Sequence, residues 1–492
     1  MITTLPIIIP LITIILLLIA GKNTRWLKYI GIAGAIALFL ASVYIFLEVK
    51  NEGIQVSQVG GWEAPYGITL VIDMLSAVML MFSSFTAMWV GFYSLQGIDN
   101  KRHEYKFFLF FHTLVMGVSG SLIAGDIFNM YVWFEVMLIS SFVLIALGSE
   151  KVQLEGALKY VTMNLLGSMF FVAGIGLLYG KTGTLNMADL SVIVRENDQF
   201  SLMHSSFILF FMAFAIKAAV FPLFFWLPSS YHTPPITITA LFAALLTKVG
   251  VYAMIRFFTL FMDTLPPFWK NLLMVIAGLT MVIGVLSAAS QYDIRKILSF
   301  HIISQIGYII MGLAIFTEFA LAAALFFMVH NILSKTAAFL SGGMIHEKTG
   351  TYQLKSMGNL FTRNPWLALS FFIPAFALAG LPPLSGFFGK LFLIKGGFEN
   401  GNFIIVGIAV WVGIVTIFSM MKIWNEAFWK PAPADGEKEK NIKLSASMLY
   451  PTFILAISTI VLGLFANYFM EVFMEASSVL KNPEIYIEAV LK

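Results

Sequence analysis

No cysteine occurs among the 492 residues. Its absence excludes disulfides, thiolate zinc centres and cysteine-held iron–sulfur clusters from this chain. Charge is scarce as well: Asp, Glu, Lys and Arg make up 11% of the residues, against about 25% in soluble globular proteins. Of the seven histidines, only His112, His301 and His330 lie deep in apolar runs. That is thin material for paired haem ligands on facing helices. No HExxH lies within an apolar run, so a membrane metalloprotease is excluded. The net charge of +4 is small, and no nucleic-acid partner is expected. The GKTGT at 180–184 lacks the leading glycine spacing of a phosphate-binding loop. Neither a cofactor nor a metal site is expected.

What is present is apolar. Hydrophobic residues make up 59% of the chain, with 48 Phe and 26 Met, and the mean hydropathy is +0.88. The apolar runs are continuous, so they read as helices that satisfy their own backbone in lipid. Barrel strands would alternate polar and apolar residues instead. The pattern predicts an all-α integral membrane protein with about fourteen transmembrane helices, near 3–20, 27–49, 69–95, 107–124, 127–148, 157–180, 204–226, 236–261, 268–289, 297–316, 319–345, 365–396, 402–426 and 446–470. The first run lacks a basic leader and a small-residue cleavage site, and reads as a spanning helix. No loop is long enough for a second domain, so residues 1–492 form one polytopic membrane domain. Of the thirty Lys and Arg, eighteen fall on the side of the first loop, eight on the other and four within spans. By the positive-inside rule both termini then lie outside the membrane.

The four lysines within spans are Lys217, Lys248, Lys335 and Lys390. Lys217 and Lys248 each lie about 20 Å along their helices, near the middle of a hydrocarbon core about 30 Å thick. A lysine there costs roughly 2.5–3.5 kcal/mol even on the lenient insertion scale. Glu135 is the one carboxylate well inside a span and is expected opposite Lys217, as a pair whose geometry sets the proton affinity of each group. His330 precedes Lys335 on the eleventh span and suits proton shuttling. Asp73 reads as a helix cap or a headgroup residue. His301, with Ser304 and Gln305, reads as lining a polar path or as a bridge between helices.

Two spans carry helix breakers beside their lysine: Pro222 after Lys217, and Pro382, Pro383 and Gly386 before Lys390. Broken helices at corresponding positions of two halves point to a transport site. They lie five spans apart, an odd number, which predicts inverted repeats over 107–261 (helices 4–8) and 268–426 (helices 9–13). The residues together suggest proton movement along a midplane line of Glu135, Lys217, Lys248, His330, Lys335 and Lys390, joined to the two sides by half-channels.

Four segments carry a family resemblance: FPLFFWLPSSYHTPPITITALFAALLTKVGVY, SQYDIRKILSFHIISQIGYI, VHNILSKTAAFL and LAGLPPLSGFFGK. They resemble the motifs of the antiporter-like subunits of respiratory complex I and of Mrp (multiple resistance and pH) cation/proton antiporters. LLTKVGVYAMIRFFTLF and WVGIVTIFSMMKIWNEAFWKP are most similar to the D branch of the Mrp group. The resemblance implies a fourteen-helix fold with two inverted five-helix repeats. It also implies proton-path roles for Glu135, Lys217, Lys248 and Lys390, sister membrane subunits in an Mrp-type complex, and exchange of protons for Na⁺, with Li⁺ or K⁺ as further candidates. The alternative it leaves open is a proton-pumping subunit of an NADH–quinone oxidoreductase.

Overall fold

Apolar runs that satisfy their own hydrogen bonds fold here as a bundle of long helices. The computed structural model describes residues 2–197, 200–431 and 443–492; Lys438 and Lys440, counted above for orientation, lie outside them. In chain order the main helices are α1 (Leu5–Ile19), α2 (Thr24–Glu52), α3 (Met74–Gly97), α4 (Phe107–Ile123), α5 (Ile127–Ala146), α6 (Lys151–Thr182) and α7 (Phe200–Ala218). They continue with α8 (Ile236–Phe261), α9 (Pro267–Ser290), α10 (Ile294–Ile315), α11 (Glu318–Thr349), α12 (Pro365–Ala379), α13 (Ser385–Glu399), α14 (Phe403–Trp424), α15 (Ala446–Leu464), α16 (Ala466–Lys481) and α17 (Pro483–Leu491). Among the described residues eleven helices are long and apolar enough to cross a membrane, and three shorter apolar ones join them, so the chain is a multi-span membrane protein.

Polar residues mark the helix starts. Asp73, Asp126, Asp293 and Thr317 each accept a backbone N–H from the first turn of α3, α5, α10 and α11. A cap of this kind contributes about 1 kcal/mol. The bundle is organised around α8, whose twenty-six residues are all buried. The apolar stretches of α10 and α11 are almost as completely enclosed, whereas α1 and α2 present most of theirs outward. A helix that is apolar all round belongs in the middle of the bundle. α8 meets that description apart from Lys248, Arg256, Tyr252 and four threonines.

Several boundaries differ from the sequence expectation. The third span begins at Met74, not at residue 69, because Thr69–Ile72 is a strand (β2) paired antiparallel with Gln55–Gln58 (β1), Gln55 facing Ile72. The polar QVSQ gave no strand signal inside a loop. A short helix, Met187–Asn197, occupies part of the loop expected over 181–203. The last span ends at Leu464, and the chain continues through α16 and α17; α16 carries buried Met470, Phe473 and Leu480 on one face.

Both breaks fall beside the expected prolines. α7 stops at Ala218; Ala219 is left-handed (φ 57°), and the chain passes Pro222 to the short helix Trp226–Ser230. That φ costs an alanine about 1–2 kcal/mol, so surrounding contacts hold it there. α12 ends at Gly380 (φ 89°), followed by Pro382 and Pro383. Gly386 is not in the break itself. It lies in the first turn of α13, where a side chain would collide with the Ala377 carbonyl and press on His330.

Candidate functional site

A break in a helix frees backbone carbonyls, and buried carbonyls need partners. The two breaks meet this need differently. At the first, the Trp226 indole donates to the Ile216 carbonyl (3.0 Å), and the Phe221 N–H donates to Thr280 Oγ1 (3.1 Å). Lys217, one residue from that carbonyl, is left out. Its ammonium is buried, has no hydrogen-bond partner among the described residues, and lies 5.8 Å from the centre of the Phe134 ring. At the second break the lysine itself is the partner: Lys390 Nζ donates to the carbonyls of Leu378 and Ala379, both at 3.0 Å, and lies 5.6 Å from the Tyr308 ring. Lys390 therefore points inward rather than towards an interface.

Replacing Lys390 by alanine leaves two buried carbonyls unpaired. Each costs about 1–3 kcal/mol, so Lys390→Ala is expected to lower thermal stability as well as activity. Lys390→Arg retains donors and is expected to recover the stability. A melting comparison of the two purified variants checks this.

The expected Glu135–Lys217 pair is close but not in contact. Glu135 is near enough for its charge to act on Lys217, yet no ion pair joins them among the described residues, and Glu135 Oε1 is buried without a partner. The next helix is tied to this place by Gly250 of α8. A Cβ there would lie 2.6 Å from the Ala218 nitrogen and 2.8 Å from the Lys217 carbonyl carbon. α8 thus packs closely on the end of α7 at Gly250, two residues after Lys248. Lys248 Nζ, buried, donates back to the Ala243 carbonyl of its own helix at 2.5 Å.

Lys248, Lys335, Lys390 and His330 form a second group whose charges act on one another. The two residues from α11, His330 and Lys335, are fully buried. His330 Nδ1 meets Ser385 Oγ at 2.8 Å, at the start of α13 just beyond the break, and Nε2 lies 3.5 Å from Ser334 Oγ. Lys335 Nζ has no partner among the described residues. The six ionisable residues named from the sequence thus fall into two neighbourhoods, Glu135–Lys217 and Lys248–His330–Lys335–Lys390, that meet where α8 crosses the end of α7.

Sequence reasoning missed one ionic site. Arg256, counted above as a loop charge, is buried in α8 and bound to Asp73 at 2.6 Å, the pair being 3% and 0% exposed. Ser76 and Tyr252 complete it, with Ser76 Oγ and Tyr252 Oη 2.9 Å apart. The missed signal was the spacing of Lys248, Tyr252 and Arg256 at four-residue intervals, which puts all three on one face of α8.

A helical membrane bundle with two broken helices, an unpaired ammonium group at one and a carbonyl-bound one at the other, has the parts of an ion transporter. The comparisons with known proteins narrow this. A family model for the transmembrane region of NADH:quinone oxidoreductase and Mrp antiporters matches residues 124–416. The chain is 44% identical, over 99% of both chains, to a Na⁺/H⁺ antiporter subunit of the D type from Alkalihalophilus pseudofirmus. It is 39% identical to the D-type counterpart from the Na⁺/H⁺ antiporter of Bacillus subtilis, again over 99% of each chain. A chain in the structure of the Mrp complex from a Dietzia species superimposes with a TM-score of 0.93 at 29% identity, covering 100% of this chain and 99% of that one. A chain of an archaeal membrane-bound sulfane sulfur reductase gives 0.92 at 27% identity, over 99% of each. The chain belongs to the NADH:quinone oxidoreductase/Mrp antiporter family.

Proposed function

We propose that the chain is the proton-carrying subunit of a multi-subunit, Mrp-type antiporter in a bacterial plasma membrane, exchanging protons for Na⁺. The observation that carries this reading is the pair of buried ammonium groups, on Lys217 and Lys335, that have no hydrogen-bond partner among the described residues. A lysine with a purely structural role would be satisfied by carbonyls or a carboxylate. A lysine that must take up and release a proton gains from being bound by little. Protons pass along Glu135, Lys217, Lys248, His330, Lys335 and Lys390. Sodium and the sister subunits are inferred from the names of the relatives. Li⁺ and K⁺ are further candidates.

The reading includes two inverted repeats, 107–261 and 268–426. What supports them is a repeated cap. Thr182 Oγ1 bonds the carbonyls of Leu178 and Thr184, and Asn186 N–H bonds Thr184 Oγ1 beside Asp126. At the same spacing, Thr349 Oγ1 bonds the carbonyls of Ile345 and Thr351, and Gln353 N–H bonds Thr351 Oγ1 beside Asp293. Five crossings separate the two, which puts them on opposite sides. With the basic loops inside, both termini face outward.

The test uses inside-out vesicles from antiporter-deficient cells carrying the full set of subunit genes. A respiratory proton gradient is built and Na⁺ is added. Collapse of the gradient on sodium addition supports the proposal. Indifference to sodium with NADH-driven pumping would move the chain to the oxidoreductase branch of its family.

A further inference from the structure

α10 carries a second polar line. His301, Gln305 and Tyr308 share one face of the helix, and all three are buried. At one end Tyr308 lies under the Lys390 ammonium. About 10 Å further along the helix, His301 Nε2 is 2.5 Å from Ser419 Oγ on α14. One turn beyond Ser419, Lys422 is only partly buried and donates to the carbonyls of Ala289 and Gln291, both at 2.6 Å, at the end of α9. The line therefore runs from the midplane lysines to the surface.

Its interior is unsatisfied. Neither Gln305 Oε1 nor Nε2 has a partner among the described residues, and His301 Nδ1 and the Lys335 ammonium have none. Each orphaned polar atom costs about 1–3 kcal/mol in a dry interior. Four such atoms, three on α10 and one on the neighbouring α11, are better explained as a hydrated passage than as packing. The charged groups that act on His301 are Lys335 from α11, Lys390 from α13 and Lys422 from α14. All three are cations, and no carboxylate is among them. The ring is thus not held as one half of an ion pair.

We propose that His301 passes protons between the Lys335–Lys390 group and the Lys422 end of the molecule, the end bearing the basic loops, with Gln305 ordering the water between. The proposal rests on the proton-carrying role given above. Ser419 Oγ also bonds the Thr416 carbonyl, at 3.1 Å. With its one proton on that carbonyl, Ser419 accepts from His301 Nε2–H, and Nδ1 presents a lone pair to the interior. A proton arriving at Nδ1 makes the imidazolium. The Nε2 proton then leaves to Ser419, whose hydroxyl gives its own proton to water at the Lys422 end. The neutral ring is left as the Nδ1–H tautomer and resets by rotation of the ring, which leaves the transferred proton at the Lys422 end.

The test uses the same vesicles and the complete complex, with assembly followed by co-purification of the sister subunits. His301→Gln keeps a donor for Ser419 but cannot take up and pass on a proton. It is expected to slow sodium-triggered collapse by at least about tenfold, and His301→Ala likewise, with imidazole in the medium restoring part of the alanine variant's rate. Gln305→Leu, which leaves the histidine in place, is expected to show the same loss and serves if a histidine variant fails to assemble. Full activity in His301→Gln would overturn the proposal and leave His301 as a tie between α10 and α14. Full activity in Gln305→Leu would overturn it as well. A wild type that ignores sodium, or a fully active Lys217→Ala, would strike at the proposed function instead, so the two failures are told apart.

Discussion

Lys217→Ala is expected to stop sodium-triggered collapse of the proton gradient, by about 100-fold or more, while the complex still assembles. The expectation follows from what Lys217 lacks. Burying an ammonium group costs several kcal/mol even after the protein relaxes, and the usual compensation is an ion pair or a set of carbonyls. Lys390 has two carbonyls and Lys248 has one. Lys217 has an aromatic face and a carboxylate at a distance. Its removal unpairs nothing, because Trp226 and not Lys217 holds the carbonyl at the break. Stability should therefore be unchanged or improved while transport is lost. Glu135→Ala is expected to do the same, since its Oε1 is also without a partner. The pair of measurements is vesicle exchange and the melting temperature of the purified complex. Normal exchange in both variants would remove α5 and α7 from the relay. Loss of assembly in either would mean that they are structural.

The lysines of this centre were legible because the bilayer makes them so. A charge in a run of twenty apolar residues is costly and stands out, and prolines beside it mark where the backbone opens. Less legible was which partner each charge would take. Glu135 and Lys217 looked like a bonded pair because the sequence offers one carboxylate, but side-chain reach depends on how far apart α5 and α7 pack. The hairpin of β1 and β2 was invisible because QVSQ has neither alternation nor bulk; its register is imposed by the loop that carries it. Asp73 and Arg256 were hidden for a different reason. Charges near the ends of spans normally reach out to headgroups, and nothing in one helix tells that the end of α8 is covered by α3 and α17. His301 and Gln305 stood in between: their polarity was visible, and the absence of partners only the fold reveals.

Asp73→Asn is expected to destabilise the protein by about 3–5 kcal/mol, the usual result of removing one partner of a fully buried ion pair. The substitution is chosen because Asp73 has two roles. Its Oδ1 accepts the Ser76 N–H that caps α3 and also the Arg256 guanidinium. Asparagine caps a helix about as well as aspartate, so the cap survives and only the charge is lost. Arg256 is then left as an unpaired cation between the Tyr252 and Tyr486 rings, 5.7 and 5.2 Å from its guanidinium carbon. Asp73→Ala should be worse by about a further 1 kcal/mol, the worth of the cap. The compensating variant is Asp73→Asn with Arg256→Met, which removes both charges and keeps cap and volume. Replacing both members of a buried pair by apolar or neutral groups is often close to neutral, so most of the lost melting temperature should return. The measurement is thermal unfolding of the purified complex in detergent for the two single variants and the double. If Asp73→Asn melts with the wild type, Arg256 has found water, and the pair at the end of α8 is not sealed from solvent. If the double variant is as unstable as the single, the two residues act independently, and Asp73 matters through α3 alone.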